Sequence, residues 1–191
     1  MDLSVWARDL AKSLLAEPLP RRWTHSQGVA AKAGVLAEIL GVDAELLWAA
    51  AILHDIGYAP TLAVTGFHPL DGARYLRDHS AADERLVRLV ANHSCAVLEA
   101  EERGLREQLE DEFPLLDHPA LVDALAYCDM TTTPDGEPTT VDARLAEILG
   151  RYGLDSIVGR FIRRAEPELC AAVHRVEAQL TAVGESRSAD F

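Results

Sequence analysis

Apolar residues recur along this chain at helical spacing, and no stretch alternates in the manner of a strand. Residues 3–16 place Leu3, Trp6, Leu10, Leu14 and Leu15 on one side, and Pro18-Leu19-Pro20 closes the segment. A second helix is predicted from Arg21 to Leu40, with Gly41 as its stop. Asp43 stands where it can cap the next, Ala44 to about Ile56, whose interior is the run LLWAAAIL. Gly57 to Phe67 reads as a loop, and His68-Pro69 opens another helix because proline suits the first helical position. Ser80-Ala81-Ala82-Asp83 has the form of a capping box for a helix through His93. Residues 96–112 read as one charged, solvated helix, and Asp117-His118-Pro119 opens one that ends near Asp129. TTTPDGEPTT at 131–140 is the long loop; Thr139 to Asp142 caps a helix ending at Gly150, and one or two more fill 155–183.

The expected fold is therefore all-α, a single bundle of about eight helices. Residues 1–19 form an N-terminal helix on the core, 20–150 the main domain, 151–183 a helical extension and 184–191 a frayed tail.

Composition narrows the function classes. The chain is 49% apolar, enough for a core and too much for disorder. A net charge of −13 repels phosphate backbones and anionic membranes, and the basic residues form only pairs, Arg21-Arg22 and Arg163-Arg164. No bulk nucleic acid and no membrane partner is expected. Cys95, Cys128 and Cys170 are scattered and odd in number, which excludes a zinc ribbon and argues against a disulfide framework. No stretch approaches the ~20 apolar residues of a spanning helix, and residues 1–16 do not read as a signal peptide, so the expected location is cytoplasmic.

The chemistry lies in the histidines. His54-Asp55 ends the apolar helix in AAILHDIG, where two ionisable groups are costly to bury unless paired, and a metal ion pairs with both. His25 lies in WTHSQGVAAKAGVLAEIL, sharing a helix face with Gly28, Val29 and Lys32; Gly28 costs helix stability and makes room there. His68 starts a helix in GFHPLDGARYL, His93 ends one in RLVRLVANHS, and Asp129 closes LVDALAYCDMTTT. His79, His118 and His174 lack such settings and read as a helix-end partner, a surface or capping residue and a helix residue. Trp6, Trp23 and Trp48 read as core, and the acidic 99–112 run as a solvated face.

This H…HD…H…H…D pattern resembles the HD-domain superfamily of metal-dependent phosphohydrolases. Local settings agree: THSxGVA around His25, ILHDIGY around His54-Asp55 and HPxxGAxxL around His68, within residues 20–150. The resemblance implies that His25, His54, Asp55 and Asp129 bind one metal. Asp55 would bridge to a second held by His68 and His93. The pair would be divalent transition-metal ions, Fe, Mn, Zn, Ni or Co, because mixed imidazole and carboxylate ligation does not choose among them. A metal-activated hydroxide would then attack a small phosphorylated substrate, such as a nucleotide or dinucleotide, with Asp55 as the catalytic centre. Lys32 and Arg144 are the cations expected to meet the phosphate, and the 131–140 loop following Asp129 reads either as a lid or as a plain connector. The alternatives are a di-iron oxygenase of the same family and a helical binding protein without turnover. Tyr58 stands where many members carry lysine, Asn92 where others double the histidine, and the GYP signature of the cyclic-di-GMP-cleaving branch is missing.

Overall fold

A computed structural model describes residues 2–79 and 82–189. Its architecture is all-α, with eleven α-helical segments and no strand among the described residues. α1 (Leu3–Leu15) is capped by Asp2, whose carboxylate accepts the Val5 N–H at 3.1 Å. Its buried stripe is Ala7, Ala11 and Leu15, small enough at two positions to lie close on α4 (Ala44–Leu53). In α4 every residue from Leu46 to Leu53 except Trp48 is buried, so it has no solvent face and forms the centre of the bundle.

The helix expected at 21–40 is two: α2 (Pro20–Val35) and the four-residue α3 (Ala37–Leu40). Gly41 follows with φ +55, the left-handed stop read from the sequence. Asp43 does not cap α4. Its carboxylate instead receives Arg85 at 3.1 Å and His118 Nε2 at 3.2 Å. α4 ends at Leu53 rather than Ile56, because the chain turns through His54-Asp55 into a tight 3-10 turn at Ile56–Tyr58.

α5 (His68–His79) and α6 (Glu84–Asn92) pack on each other. Asp83 caps α6 through the Arg85 N–H, whereas Ser80 of the anticipated capping box lies outside the described residues. The charged stretch breaks at Gly104 (φ +70) into α7 (Ala96–Glu102) and α8 (Arg106–Glu112). It is not a uniform solvated face, for Glu99 is buried. α9 (Pro119–Met130) is capped by His118 Nδ1, and α10 (Val141–Tyr152) by Thr140. α11 (Ile157–Ala189) is one helix that carries Pro167 within it.

One core surrounds α4, and the three tryptophans pack partly buried against it. A second lies between α9, α10 and α11, with Met130, Leu145, Phe161 and Leu169 in it. Among the described residues, no helix is long and apolar enough to cross a membrane.

Candidate metal centre

Five helices bring one or two polar residues each to a single buried point. His25 comes from the second turn of α2, His54-Asp55 from the end of α4 and His68 from the start of α5. His93 follows the end of α6, and Asp129 closes α9. Their polar atoms lie close together. His25 Nε2 is 3.2 Å from Asp129 Oδ1 and 3.8 Å from Asp55 Oδ2, and His54 Nε2 is 3.3 Å from that same Asp55 oxygen. On the other side His68 Nε2 is 3.3 Å from Asp55 Oδ1 and 3.1 Å from His93 Nε2.

Three of the rings are fixed from behind. Nδ1 of His25 donates to the Thr133 carbonyl at 2.9 Å, that of His54 to Ala51 at 2.7 Å and that of His93 to Val90 at 2.7 Å. A neutral ring that donates through Nδ1 keeps its lone pair on Nε2, the state a metal ligand needs. His54 Nε2 is buried and, despite its nearness to Asp55, has no hydrogen-bond partner. Ser94 Oγ donates to Asp129 Oδ2 at 2.6 Å and leaves Oδ1 facing the histidines. Ser94 and Cys95 adopt positive φ of 50° and 62°, the sharp turn that brings His93 and Ser94 inward together.

The electrostatics favour positive charge at this point. Burial alone would raise the Asp55 carboxyl, but Arg22 and the neighbouring histidines hold it well below the ordinary range. Asp129 is likewise held low against its burial, by His25 and His54. Burial works against the charged form of His54, yet the two carboxylates draw it up to about 9. Burial pushes His68 and His93 down, toward the neutral form. Four imidazoles and two carboxylates with an orphaned inward nitrogen fit a divalent transition metal. Three overlapping trios could hold one: His25-His54-Asp55, His54-His93-Asp129 and Asp55-His68-His93.

The two anticipated phosphate cations part company. Arg144 is buried and lines the cavity over the cluster; one guanidinium nitrogen pairs with Glu147, and its Nε has no partner. Lys32 does not line that cavity. Its ammonium holds the end of α9, donating to the Thr131 carbonyl and hydroxyl at 2.5 and 2.6 Å. Arg22, read from the sequence only as half of a basic pair, reaches the site: Nη1 donates to Asp55 Oδ2 at 2.7 Å, and the guanidinium lies 3.8 Å over the Tyr58 ring. Tyr58 stacks in turn on His68 with ring centroids 3.9 Å apart. A cation thus stands beside position 58, delivered from α2. Glu99, also missed, lines the cavity; burial raises its carboxyl against the pull of Arg103.

The 131–140 segment is a seated strap. Thr133 receives His25, and Asp135 holds Arg21 through two hydrogen bonds of 2.7 and 2.9 Å. Gly28 serves this strap rather than the histidine directly, since a Cβ there would lie 2.3 Å from the Gly136 carbonyl oxygen. Gly28→Ala is therefore expected to lift the strap, lowering stability in urea unfolding by about 1–3 kcal/mol and loosening metal retention through His25. Unchanged stability would mean that the strap is not held there.

The HD-domain pattern matches residues 22–148, and the chain belongs to the HD-domain family. Its similar proteins include Ribonuclease Y of Rhodopirellula baltica, 39% identical over 142 residues, which are 72% of this chain and 22% of that protein. Ribonuclease Y of Rubrobacter xylanophilus is 38% identical and that of Aquifex aeolicus 39%, each over 69 residues, 36% of this chain and 13% and 12% of theirs. The chain thus aligns with about a fifth or less of the length of these relatives. No solved structure matches it significantly.

Proposed function

We propose that this protein is a metal-dependent phosphohydrolase, a phosphatase or phosphodiesterase acting on a small phosphoester such as a nucleotide or dinucleotide. The observation that carries this reading is the buried cluster of six donors with two guanidiniums, Arg22 and Arg144, at its edge. Cations beside a metal cluster suit a substrate that brings negative charge, which favours phosphoester over oxygenase chemistry. His25, His54, Asp55 and Asp129 would hold one divalent ion and Asp55, His68 and His93 a second, supplying Lewis-acid stabilisation of the phosphoryl oxygens and an acidified water.

The chain's own residues do the rest. Asp55 directs Oδ2 toward His25 and His54 and Oδ1 toward His68, the arrangement of a bridging ligand. Ser94 and the Thr133, Ala51 and Val90 carbonyls hold the ligands in register. Arg144 offers an unspent N–H to a phosphate oxygen, and Arg22 keeps a cation against Asp55. In steady-state kinetics, Arg144→Ala is expected to lower kcat/KM by about ten- to a hundredfold, with metal content unchanged; full activity would remove Arg144 from the site.

The relatives named Ribonuclease Y support a second reading, in which the phosphoester belongs to RNA. The charge of −13 disfavours a long strand, and a short oligoribonucleotide satisfies both. Metal analysis followed by assays on nucleotides, ribo- and deoxyribo-dinucleotides and a long RNA tests both. Cleavage of RNA alone selects the second, and no cleavage of any of these by metal-loaded protein overturns both.

A further inference from the structure

The cavity above the cluster is small, about 80 Å³, room for a phosphoryl group and little more. A cavity of about 290 Å³ adjoins it and shares Arg22, His25, Arg144 and Arg151 with its lining. Four of the nine residues around this groove are arginines, Arg21, Arg22, Arg144 and Arg151, and none is acidic. In a chain of net charge −13 that is a local reversal of sign.

Carboxylates answer these cations only in part. Arg21 has Asp135 and Arg22 has Asp55, while Arg144 and Arg151 share the one carboxylate of Glu147. The buried Nε of Arg144 has no partner although the side chain is 7% exposed. The first turn of α2 lines the same groove, and no side chain caps that helix, so its positive end adds to the field. Pro18, Pro20 and Pro134 stiffen the walls.

We propose that this groove is a second anion subsite, which holds a further phosphate of the substrate while the scissile phosphoester sits at the metal cluster. The inference rests on the phosphohydrolase reading for the scissile group alone; the anion site itself stands apart from turnover. A substrate with two phosphates would thread from the small cavity into the groove, its second phosphate meeting Arg21, Arg144 and Arg151. That phosphate is either linked directly to the first, as in a nucleoside diphosphate, or separated by a nucleoside, as in a 5′-phosphorylated dinucleotide.

The test uses the double variant R21A/R151A, neither residue being a ligand of the cluster. Chelated full-length protein is titrated calorimetrically with inorganic pyrophosphate. Wild type is expected to bind about tenfold more tightly than the variant, and equal binding overturns the subsite whatever the activity. Metal-loaded proteins are then assayed on AMP against ADP and on ApA against pApA. A wild-type preference for either doubly phosphorylated partner, read as the ratio of kcat/KM within each pair and reduced to near parity in the variant, is the expected result. Preference for ADP identifies a directly linked second phosphate, and preference for pApA one nucleoside spacing. Equal handling within both pairs by wild type overturns the proposal. Weaker pyrophosphate binding by the variant, with no turnover of any of these four substrates by wild type, supports the anion site and overturns the small-phosphoester reading instead.

Discussion

Asp55→Ala is expected to strip the protein of metal and of turnover together. Asp55 is the one residue whose two oxygens face both halves of the cluster, at 3.3 Å from His54 Nε2 and 3.3 Å from His68 Nε2. Without it two of the three trios that could hold a metal are broken, only His54-His93-Asp129 staying whole, and Arg22 loses its buried partner. Loss of the metals' charge stabilisation is worth several kcal/mol, about 10³-fold in rate. Elemental analysis should find divalent transition metal in the wild type and little in the variant. Chelation should lower the Tm of the wild type, because a ligand bound only by the folded state stabilises it, and leave that of the variant unmoved. Asp55→Asn, which keeps the shape, separates loss of the ligand charge from collapse of the pocket. Metal retained at the wild-type level with activity intact in Asp55→Ala would remove Asp55 from the centre.

The second large effect is expected at Gly57, two residues on. A Cβ on Gly57 would lie 2.0 Å from the His68 carbonyl oxygen and 2.7 Å from the Gly72 backbone nitrogen. Both obstacles are backbone of α5, so no side-chain rotation relieves them. Gly57→Ala must push the start of α5 away from the turn after Asp55, and His68 moves with it. Overpacking of this kind should cost about 3–4 kcal/mol of stability in urea unfolding, with metal content falling in the protein that remains folded. Gly150→Ala is the contrasting control: a Cβ there would meet nothing within 4 Å, and the position is helical. It should be neutral or stabilise by about 0.5–1 kcal/mol. A Gly57→Ala protein as stable as wild type would show that α5 is free to shift.

Both predictions draw on residues whose type was legible in the sequence and whose reach was not. HDIG advertised Asp55 because a charged pair ending an apolar helix demands a partner, and helical periodicity was enough for an all-α fold. Family membership was legible for the same reason: H…HD…H…H…D with its local settings is a sequence pattern, and residues 22–148 match the HD domain. Breaks at Leu36 and Gly104 were not legible, because amphipathic spacing continues across them while the backbone does not. Asp43 had the right type for a cap, but Arg85 and His118, distant in sequence, claim its carboxylate.

Residue type and spacing by themselves determined the helical class and the inventory of polar groups set among apolar ones. Only the tertiary structure decided which of those groups meet. Lys32 shares a helix with His25 but turns to the end of α9, while Arg22, three residues before His25, reaches Asp55 across the bundle. Glu99 leaves a charged run for the cavity wall, and Gly28 answers to Gly136, over a hundred positions away. Spacing along one helix fixes the direction of a side chain relative to its own axis. What lies in that direction depends on how helices distant in sequence pack, and hence so do the close approaches and the arginine-lined groove at this site.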